Sequence, residues 1–491
     1  MRHPQFYPLM EHHFYHNMTH EQTLAVKQME TFLFASSPET VFCLRGYAGS
    51  GKTSLIAALV HTLHDIGRGV VLLAPTGRAA KVMSGYAGKP AYTIHKAIYR
   101  QETFRGEETA FQMGYNKYRE TLFIVDEASM MGFADTGSGT MFGSGNLMDD
   151  LIQFIYEGQG CRLMMVGDTA QLPPVGEEES PALQPDTYRR WGLHALCVDL
   201  TEVVRQASDS GVLSNATSLR EAIRYGGEGP FPQIIGSKHG EVRFLPADEL
   251  IETLETAYSQ CGNDNVVIVT RSNKRANVYN QGIRARILDR EEMLSRGDRV
   301  MAVKNNYYWT DVLRRELEKG ETLPLDFIAN GDIAEVIRIR NIHEQHGFLF
   351  ADTTLRWVDY GDFEMECRVL LSTLTSESPS LTHTESNQLF QNVLADYMDI
   401  AHQRERMEAV RRDPYYNAIQ IKFAYAVTCH KAQGGQWERV FVDQGFPIDG
   451  VADLGHLRWL YTAITRTTDR LYLINWPQSE QVIVDERETD E

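Results

Sequence analysis

The chain has 491 residues, 43% hydrophobic and 23% charged, as expected for a globular protein with several buried cores. Its 48 lysines and arginines against 66 aspartates and glutamates give a formal net charge of −18. That charge excludes a general basic coat for nucleic acid and allows only a local binding groove. No apolar run approaches the roughly 20 residues of a membrane helix. The six scattered cysteines form no CxxC pair, and no secretory signal pattern opens the chain, so we expect free thiols, no membrane contact and a cytoplasmic protein.

Short apolar strands alternate with amphipathic helices from residue 41 onward. The predicted helices of this first layer are 54–63 and 79–83, and its predicted strands are 41–44, 70–73, 122–125 and 163–166. Strands that are apolar throughout are typical of a parallel sheet covered on both faces. The alternation therefore predicts an open α/β layer.

The same alternation returns in the second half of the chain. A second α/β layer is predicted from a helix at 275–287 and strands at 266–269, 440–442 and 471–474. Between about residues 297 and 416 the pattern changes to short strands at 300–303, 333–337 and 348–350, with Asn-Gly and His-Gly turns. This change predicts an all-β insertion that closes into a small barrel.

Four further segments lie outside these layers. The N-terminal histidines have no cysteine or carboxylate partners at metal-ligand spacing, so we expect residues 1–18 to be a solvated or partly ordered arm and not a metal site. Residues 100–119 are polar with interspersed aromatics, and residues 133–146 form a Gly/Ser-rich segment that predicts a mobile loop. The acidic end of the chain, residues 477–491, is either a solvated tail or a docking peptide for a basic partner.

A phosphate-binding loop is the most specific local pattern. Residues 46–53 match GxxxxGK[ST] between a predicted strand and a predicted helix. Glycines let the backbone amides turn toward phosphate, and the N-terminus of the helix adds partial positive charge. The loop therefore predicts an ATP site whose residues are Gly46, Ala48, Gly49, Ser50, Gly51, Lys52, Thr53 and Ser54. Lys52 is suited to the β and γ phosphates, and the Thr53 hydroxyl to a Mg²⁺ ligand.

Three polar residues follow later strands of the same layer. Asp126 ends the strand at 122–125, where a carboxylate can hold Mg²⁺ through its water shell. The adjacent Glu127 is placed to act as the general base on the attacking water. Gln171 follows the strand at 163–166 and is predicted to sense the γ-phosphate.

In this order the motifs resemble those of the superfamily-1 helicases, in particular the group that contains the exonuclease V alpha subunit and the phage Dda helicase. The similar blocks are a Q motif at 19–22, motif I at 46–53, Ia at 74–80, Ib at 93–96, II at 126–129, III at 167–174, IV at 200–206, V at 425–434 and VI at 461–466. Cys429 and the long segment 133–146 depart from the usual pattern of the group.

The resemblance implies a two-layer architecture. We expect two RecA-like P-loop layers, with a small hairpin or pin inserted in the first and an all-β, SH3-like insertion in the second. The implied units are a first layer at 19–94 and 121–208, a pin at 95–120, a second layer at 209–300 and 417–476, and an insertion at 301–416.

Roles for individual residues follow from the same resemblance. Gln22 is expected to contact adenine. Arg205 and Arg466 are expected to reach the γ-phosphate from the second layer, because guanidinium forks match phosphate oxygens. The residues implied in DNA contact are Pro75, Thr76, Gly77, His95, Asn273, Thr428 and His430. His95 is alternatively a histidine packed under a helix, and the segment 100–119 is either the pin or a plain surface hairpin.

Together these features predict an ATP-dependent DNA helicase that uses ATP and Mg²⁺ and acts on single-stranded DNA and single-strand/duplex junctions. The resemblance alone implies 5′→3′ movement, a monomeric motor, a role in repair, recombination or replication, and single-strand-binding or repair proteins as partners. Two alternatives stay open: a translocase that displaces proteins without unwinding, and a nucleotide-switched binding module. RNA is open as a substrate, because motors that grip the backbone separate the two polymers only by 2′-hydroxyl contacts.

Overall fold

The structure is a computed structural model that describes residues 3–37, 39–101, 111–133, 144–202, 210–227, 231–317, 321, 323–325, 327–445 and 453–484. Its α-helices are α1 Phe6–His13, α2 His20–Phe34, α3 Lys52–Asp65, α4 Gly77–Ala87, α5 Ile94–Ile98, α6 Leu147–Glu157, α7 Gly211–Arg224, α8 Leu250–Cys261, α9 Asn273–Arg286, α10 Tyr308–Glu316, α11 His383–Ala395, α12 Gln403–Arg411, α13 Cys429–Ala432 and α14 Leu454–Ile464.

The strands of the first half are β1 Thr40–Gly46, β2 Gly69–Ala74, β3 Ala91–Thr93, β4 Tyr99–Gln101, β5 Phe111–Met113, β6 Thr121–Val125, β7 Arg162–Gly167, β8 His194–Leu200, β9 Ile234–Gly236 and β10 Val242–Leu245. Those of the second half are β11 Val266–Thr270, β12 Arg299–Ala302, β13 Ile333–Gln345, β14 Phe348–Trp357, β15 Phe363–Leu370, β16 Ile419–Phe423, β17 Ala426–Thr428, β18 Trp437–Asp443, β19 Thr467–Ile474 and β20 Gln481–Ile483.

The first sheet has six parallel strands in the order β3-β2-β6-β7-β1-β8. The four predicted strands form its centre and are confirmed, and β3 and β8 add its two edges. One face packs on α1 to α4, and the other on α5 and α6, so the central strands are buried on both sides. We call this sheet with its helices the first lobe.

The second sheet has five parallel strands in the order β10-β19-β18-β11-β17. Helices α7 and α14 pack on one face, and α8 and α9 on the other. This second lobe contains the three predicted strands of the second layer. The α/β class with two parallel sheets is therefore confirmed.

Strands β12 to β16 form a closed barrel between the two halves of the second lobe. Its interior is apolar, and Leu355 and Trp357 are fully buried within it. The prediction that the insertion contains only strands is wrong, since helices α10, α11 and α12 lie between β12 and β16. The barrel also extends beyond residues 301–416 at both ends, because closure requires β12 to pair with β13 on one side and β16 on the other.

The N-terminal segment is not a solvated arm, so that prediction is wrong. Phe6 and Met10 have no exposed surface and belong to the core of the first lobe. Their four-residue spacing places both side chains on one face of α1, which packs against α3. The His13 imidazole also lies 2.7 Å from the carboxylate of Asp65, which ties this helix to the end of α3.

All the motif-bearing turns of the first lobe lie at one edge of its sheet. Strands β1, β2, β6 and β7 are parallel, so their carboxyl ends at Gly46, Ala74, Val125 and Gly167 face the same way. Ligands of open α/β sheets bind at this edge. The topology therefore gathers residues from four separate motifs around one cleft.

Several predicted features lie outside the described residues: Arg205, the tip of the pin at 102–110, residues 134–143 of the Gly/Ser-rich segment and residues 485–491 of the acidic tail. Within the described ranges, every helix is too short or too polar to cross a membrane.

Candidate functional site

The phosphate-binding loop joins β1 to α3. Gly49 and Gly51 have φ values of 76° and 83°, in the left-handed region that glycine adopts without a Cβ penalty. The Lys52 ammonium donates hydrogen bonds to the carbonyl oxygens of Gly46, at 2.6 Å, and Tyr47, at 2.9 Å. Lys52 is therefore held over the loop, while Thr53 and Ser54 are exposed at the first turn of α3.

Gln22 supports the loop from below. Its side-chain nitrogen donates to the Ser50 carbonyl oxygen at 2.9 Å, and its side-chain oxygen accepts from the Thr19 amide at 2.9 Å. The Thr19 hydroxyl in turn accepts from the Gln22 amide and completes a capping box at the start of α2. Gln22 is 1% exposed, and its hydrogen bond to Ser50 stabilises the loop. The adenine contact stays a prediction.

The acidic pair follows β6 at the same edge. The Tyr86 hydroxyl donates to one carboxylate oxygen of Asp126 at 2.6 Å, and the Glu127 amide donates to the other at 2.8 Å. Glu127 has a φ of 52°, a strained value for a residue with a side chain and one that clusters at functional sites. Tyr86 on α4 is a site residue that the sequence reasoning missed, because nothing in its local pattern connects it with Asp126.

Arg466 brings a positive charge from the second lobe to Glu127. One guanidinium nitrogen of Arg466 lies 3.9 Å from a Glu127 carboxylate oxygen. The Arg466 side chain is 5% exposed and is oriented by its Nε donating to the Thr462 carbonyl oxygen at 2.9 Å. Burial raises the pKa of Glu127, and the charge of Arg466 opposes that rise.

The protonation of Glu127 makes a pH dependence testable. A general base must be ionised, so a raised pKa should place the acidic limb of kcat for ATP hydrolysis above the ordinary glutamate value of about 4.3. Arg466→Gln removes the opposing charge and should shift the limb to higher pH, whereas Arg466→Lys should leave it nearly in place. The measurement is kcat at saturating ATP across pH. Identical limbs in the Gln and Lys variants would contradict the assignment of Glu127 as the base.

The loop after β7 also meets the second lobe. Gln171 is 7% exposed, and its side-chain oxygen has no hydrogen-bond partner within the described ranges. The amide of the next residue, Leu172, donates to the Thr462 hydroxyl at 2.8 Å. Gln433 donates to the Leu172 carbonyl oxygen at 2.8 Å. The predicted γ-phosphate sensor therefore sits in a segment held by α14 and by the turn after α13.

The predicted DNA contacts of the first lobe lie against other parts of the chain. Thr76 caps α4 by accepting from the Ala79 amide at 3.2 Å and follows the half-buried Pro75. A Cβ at Gly77 would lie 2.6 Å from the Tyr360 hydroxyl oxygen, so the barrel covers this helix start closely. The neighbouring Arg78 guanidinium stacks 4.1 Å from the ring centre of Trp437 in the second lobe.

His95 lies at the contact between the first lobe and the segment that precedes β13. Its ring centre is 5.6 Å from that of Phe327 and 5.7 Å from that of Tyr99. Burial lowers its pKa to about 4, so the imidazole is neutral at pH 7. This environment fits the alternative of a packed histidine, and a DNA contact by His95 stays a prediction.

Two of the three predicted DNA contacts of the second lobe line one cavity. Asn273 begins α9 and Thr428 ends β17, and both line a cavity between this lobe and the barrel, together with Lys422 and Lys431. His430, two residues beyond Thr428, is exposed. Burial lowers the pKa of both lysines to about 8, and both ammonium groups already donate to oxygen atoms of the protein.

A glycine-rich loop between a strand and a helix, together with an acidic pair at the end of a parallel strand two places along the same sheet, defines a P-loop nucleotide-binding protein. Two family models match the chain: an "AAA domain" over residues 17–226 and a "UvrD-like helicase C-terminal domain" over residues 423–474. The first match contains the loop and the acidic pair, and the second contains Thr428 and Arg466.

Two curated relatives are helicases. The ATP-dependent RecD2 DNA helicase of Deinococcus radiodurans is 33% identical over 177 residues, 36% of this chain and 21% of the relative. The ATP-dependent DNA helicase Dda of Enterobacteria phage T4 is 28% identical over 180 residues, 36% of this chain and 37% of the relative. A solved structure of Pif1 helicase from Bacteroides with ADP-AlF3 and ssDNA is 17% identical, with a TM-score of 0.45 over 96% of this chain and 95% of that one.

The matches cover only about a fifth and about a third of the lengths of the two curated relatives. Together with the two family models, they confirm the predicted resemblance to the helicases of the RecD and Dda group.

Proposed function

We propose that the chain is an ATP-dependent DNA helicase that moves along single-stranded DNA and opens duplex DNA at single-strand/duplex junctions. The observation that carries this proposal is the approach of Arg466, from the second lobe, to within 3.9 Å of Glu127 in the first. A hydrolytic site completed by both lobes makes each turnover depend on how they are seated against each other. The names of the RecD2 and Dda relatives, both ATP-dependent DNA helicases, support the same function.

In this proposal the first lobe binds the nucleotide. The loop amides and Lys52 hold the phosphates, Glu127 accepts a proton from the attacking water, and Arg466 stabilises charge on the transferred phosphoryl group. Arg205 is proposed as a second such arginine. The Thr53 hydroxyl and the Asp126 carboxylate are hard oxygen donors of the kind that Mg²⁺ takes alongside phosphate and water, and the ion would neutralise phosphate charge there.

The two lobes would grip DNA in turn. Thr76 in the first lobe and Thr428 in the second are small polar groups suited to a sequence-neutral hold that releases at every step. Opening a duplex costs roughly 1.4 kcal/mol of stacking per base-pair step. This cost is within the free energy that one cycle of ATP hydrolysis should supply. The proposed direction is 5′→3′, as in the group the motifs resemble.

The proposed units follow the sheets. A RecA-like first lobe of residues 19–94 and 121–208, to whose core α1 and α5 also belong, carries a pin within residues 95–120, and a RecA-like second lobe carries the SH3-like barrel. The antiparallel pair of β4 and β5 supports a hairpin at the base of the pin. We further propose a monomeric motor, working in the cytoplasm, where all six cysteines would remain free as they are here, with single-strand-binding or repair proteins as partners.

Duplexes with a 5′ tail, a 3′ tail or an RNA tail test the proposal in a strand-displacement assay. We expect ATP hydrolysis to rise severalfold when single-stranded DNA is added, and displacement only from the 5′-tailed DNA. Failure of oligonucleotide to stimulate hydrolysis at any ionic strength would overturn the motor. Displacement from the RNA-tailed duplex alone would identify RNA, and not DNA, as the strand along which the protein moves.

The same assay separates a helicase from a translocase. Residues 102–110 are replaced by Asn-Gly, which keeps β4 and β5 and spares the buried Asn116, a donor to the Phe154 carbonyl oxygen at 2.7 Å. We expect the shortened pin to lose displacement and to keep DNA-stimulated hydrolysis. Undiminished strand displacement by the shortened variant would show that the pin does not open the duplex. A wild-type protein that hydrolyses ATP but never displaces a strand would favour the translocase.

A further inference from the structure

Tyr461 is a buried residue of the second lobe that sits on the phosphate-binding loop of the first. It lies on α14, and its side chain is almost fully buried. Its hydroxyl accepts a hydrogen bond from the Ala48 amide at 2.9 Å and donates one to a carboxylate oxygen of Asp168 at 2.6 Å. One phenol thus links the loop, the end of β7 and the opposite lobe.

The partners of this hydroxyl are themselves fixed. The second carboxylate oxygen of Asp168 accepts from the Ala170 amide at 2.9 Å, so the carboxylate that receives the phenol proton is already oriented. Burial raises the pKa of Tyr461, so the hydroxyl keeps its proton at neutral pH. A phenol has one proton to donate, and here that proton is committed to Asp168.

Arg466 lies just beyond the end of α14 that carries Tyr461. Arg466 follows Tyr461 by five residues, and its Nε donates to the Thr462 carbonyl oxygen at 2.9 Å. The Thr462 hydroxyl accepts a hydrogen bond from the Leu172 amide of the first lobe. The Tyr461 hydroxyl fixes the position of this end of α14. The position of the helix end in turn fixes the position of the Arg466 guanidinium beside Glu127.

We propose that Tyr461 is a positioning residue of the nucleotide site, whose hydroxyl locks the end of α14 onto the phosphate-binding loop and thereby sets the approach of Arg466 to Glu127. This inference rests on the proposed ATP hydrolysis. It adds a contact that makes the geometry of the loop depend on the position of the second lobe, so that separating the lobes releases the Ala48 amide and Asp168 together.

The test is Tyr461→Phe, which keeps the ring and removes only the hydroxyl. We expect kcat for ATP hydrolysis to fall about tenfold, the effect of losing one hydrogen bond to a charged group. The dissociation constant of a fluorescent ADP analogue should change less than threefold. In an Arg466→Gln background, Tyr461→Phe should cause little further loss, because the two residues act through one contact.

Additive losses in the two backgrounds, or an unchanged kcat, would overturn the inference. A wild-type protein that does not hydrolyse ATP would overturn the proposed function and this inference with it. An active wild type with an unaffected Phe variant would overturn only the inference, so the two failures are distinguishable.

A matched control is Tyr258→Phe, also in the second lobe. The Tyr258 hydroxyl is buried without a hydrogen-bond partner in the described part of the chain, so its removal should leave kcat unchanged. Asp168→Asn keeps an acceptor for the phenol and should cost less than Tyr461→Phe. If Tyr461→Phe lowers the Tm too far for assay, Asp168→Asn replaces it in the test. A fall in kcat that Asp168→Asn causes in the wild-type background but not in the Arg466→Gln background supports the inference. An equal fall in both backgrounds contradicts it.

Discussion

Replacing Arg466 by glutamine should slow ATP hydrolysis by about 10³–10⁵-fold, the usual contribution of an arginine that reaches the transferred phosphoryl group. Its guanidinium is the positive group of the second lobe that approaches Glu127 across the cleft. Glutamine keeps much of the side-chain volume and removes the charge. Single-turnover hydrolysis should show the loss, while binding of a fluorescent ADP analogue should remain within a fewfold of wild type, because the charge acts on the transition state.

Two comparisons make this result specific. Arg466→Lys keeps the charge without the planar fork, and should recover part of the rate but not all of it. Arg340→Gln removes an arginine of the barrel that pairs with Glu366 at 2.7 Å on an exposed surface, and should leave hydrolysis unchanged. Equal rates for Arg466→Gln and wild type would mean that the second lobe contributes no catalytic charge.

Replacing Glu127 by glutamine should lower kcat by about 10²–10⁴-fold, the range for a positioned general base. The change is nearly isosteric and removes the carboxylate that would take the proton of water. Nucleotide binding should persist, since the loop and Lys52 are untouched. A trapped ATP-bound state should then hold single-stranded DNA without turnover, measurable as a stable complex in the presence of ATP.

The control removes a carboxylate elsewhere. Glu366→Gln, on the barrel, should hydrolyse ATP at the wild-type rate. If Glu127→Gln turns over as fast as wild type, the base is misassigned. If the wild type itself barely turns over, yet ATP changes its affinity for DNA, the chain is the nucleotide-switched binding module and not a motor.

The central strands of both sheets were predictable because each carries its own signal. Strands β6 and β7 are buried along their whole length, and burial on both faces requires a continuous apolar run. The missed strand β8 contains His194 and Asp199 and is only partly buried at the edge of its sheet, so it has no such run. The barrel was predicted with the wrong ends, because β12 and β16 pair with each other across more than a hundred intervening residues.

The N-terminal helix shows how a polar appearance can mislead. Its histidines suggested a solvated segment, yet Phe6 and Met10 supply one apolar face of two turns. Such a short stripe is too small to stand out in the sequence. It becomes decisive only when α3 offers a complementary surface.

Contiguous residues specified the chemistry: the glycines before Lys52 and the acidic pair at 126–127 each lie within one strand and the turn that follows it, so backbone geometry alone determines their placement. The partners of these residues depended on packing. Tyr461 meets Ala48 across 413 positions of chain; the motif at 461–466 marks the tyrosine but says nothing of its partner. A hydrogen bond between two lobes exists only once both cores have formed and docked, so only the tertiary structure could reveal this contact.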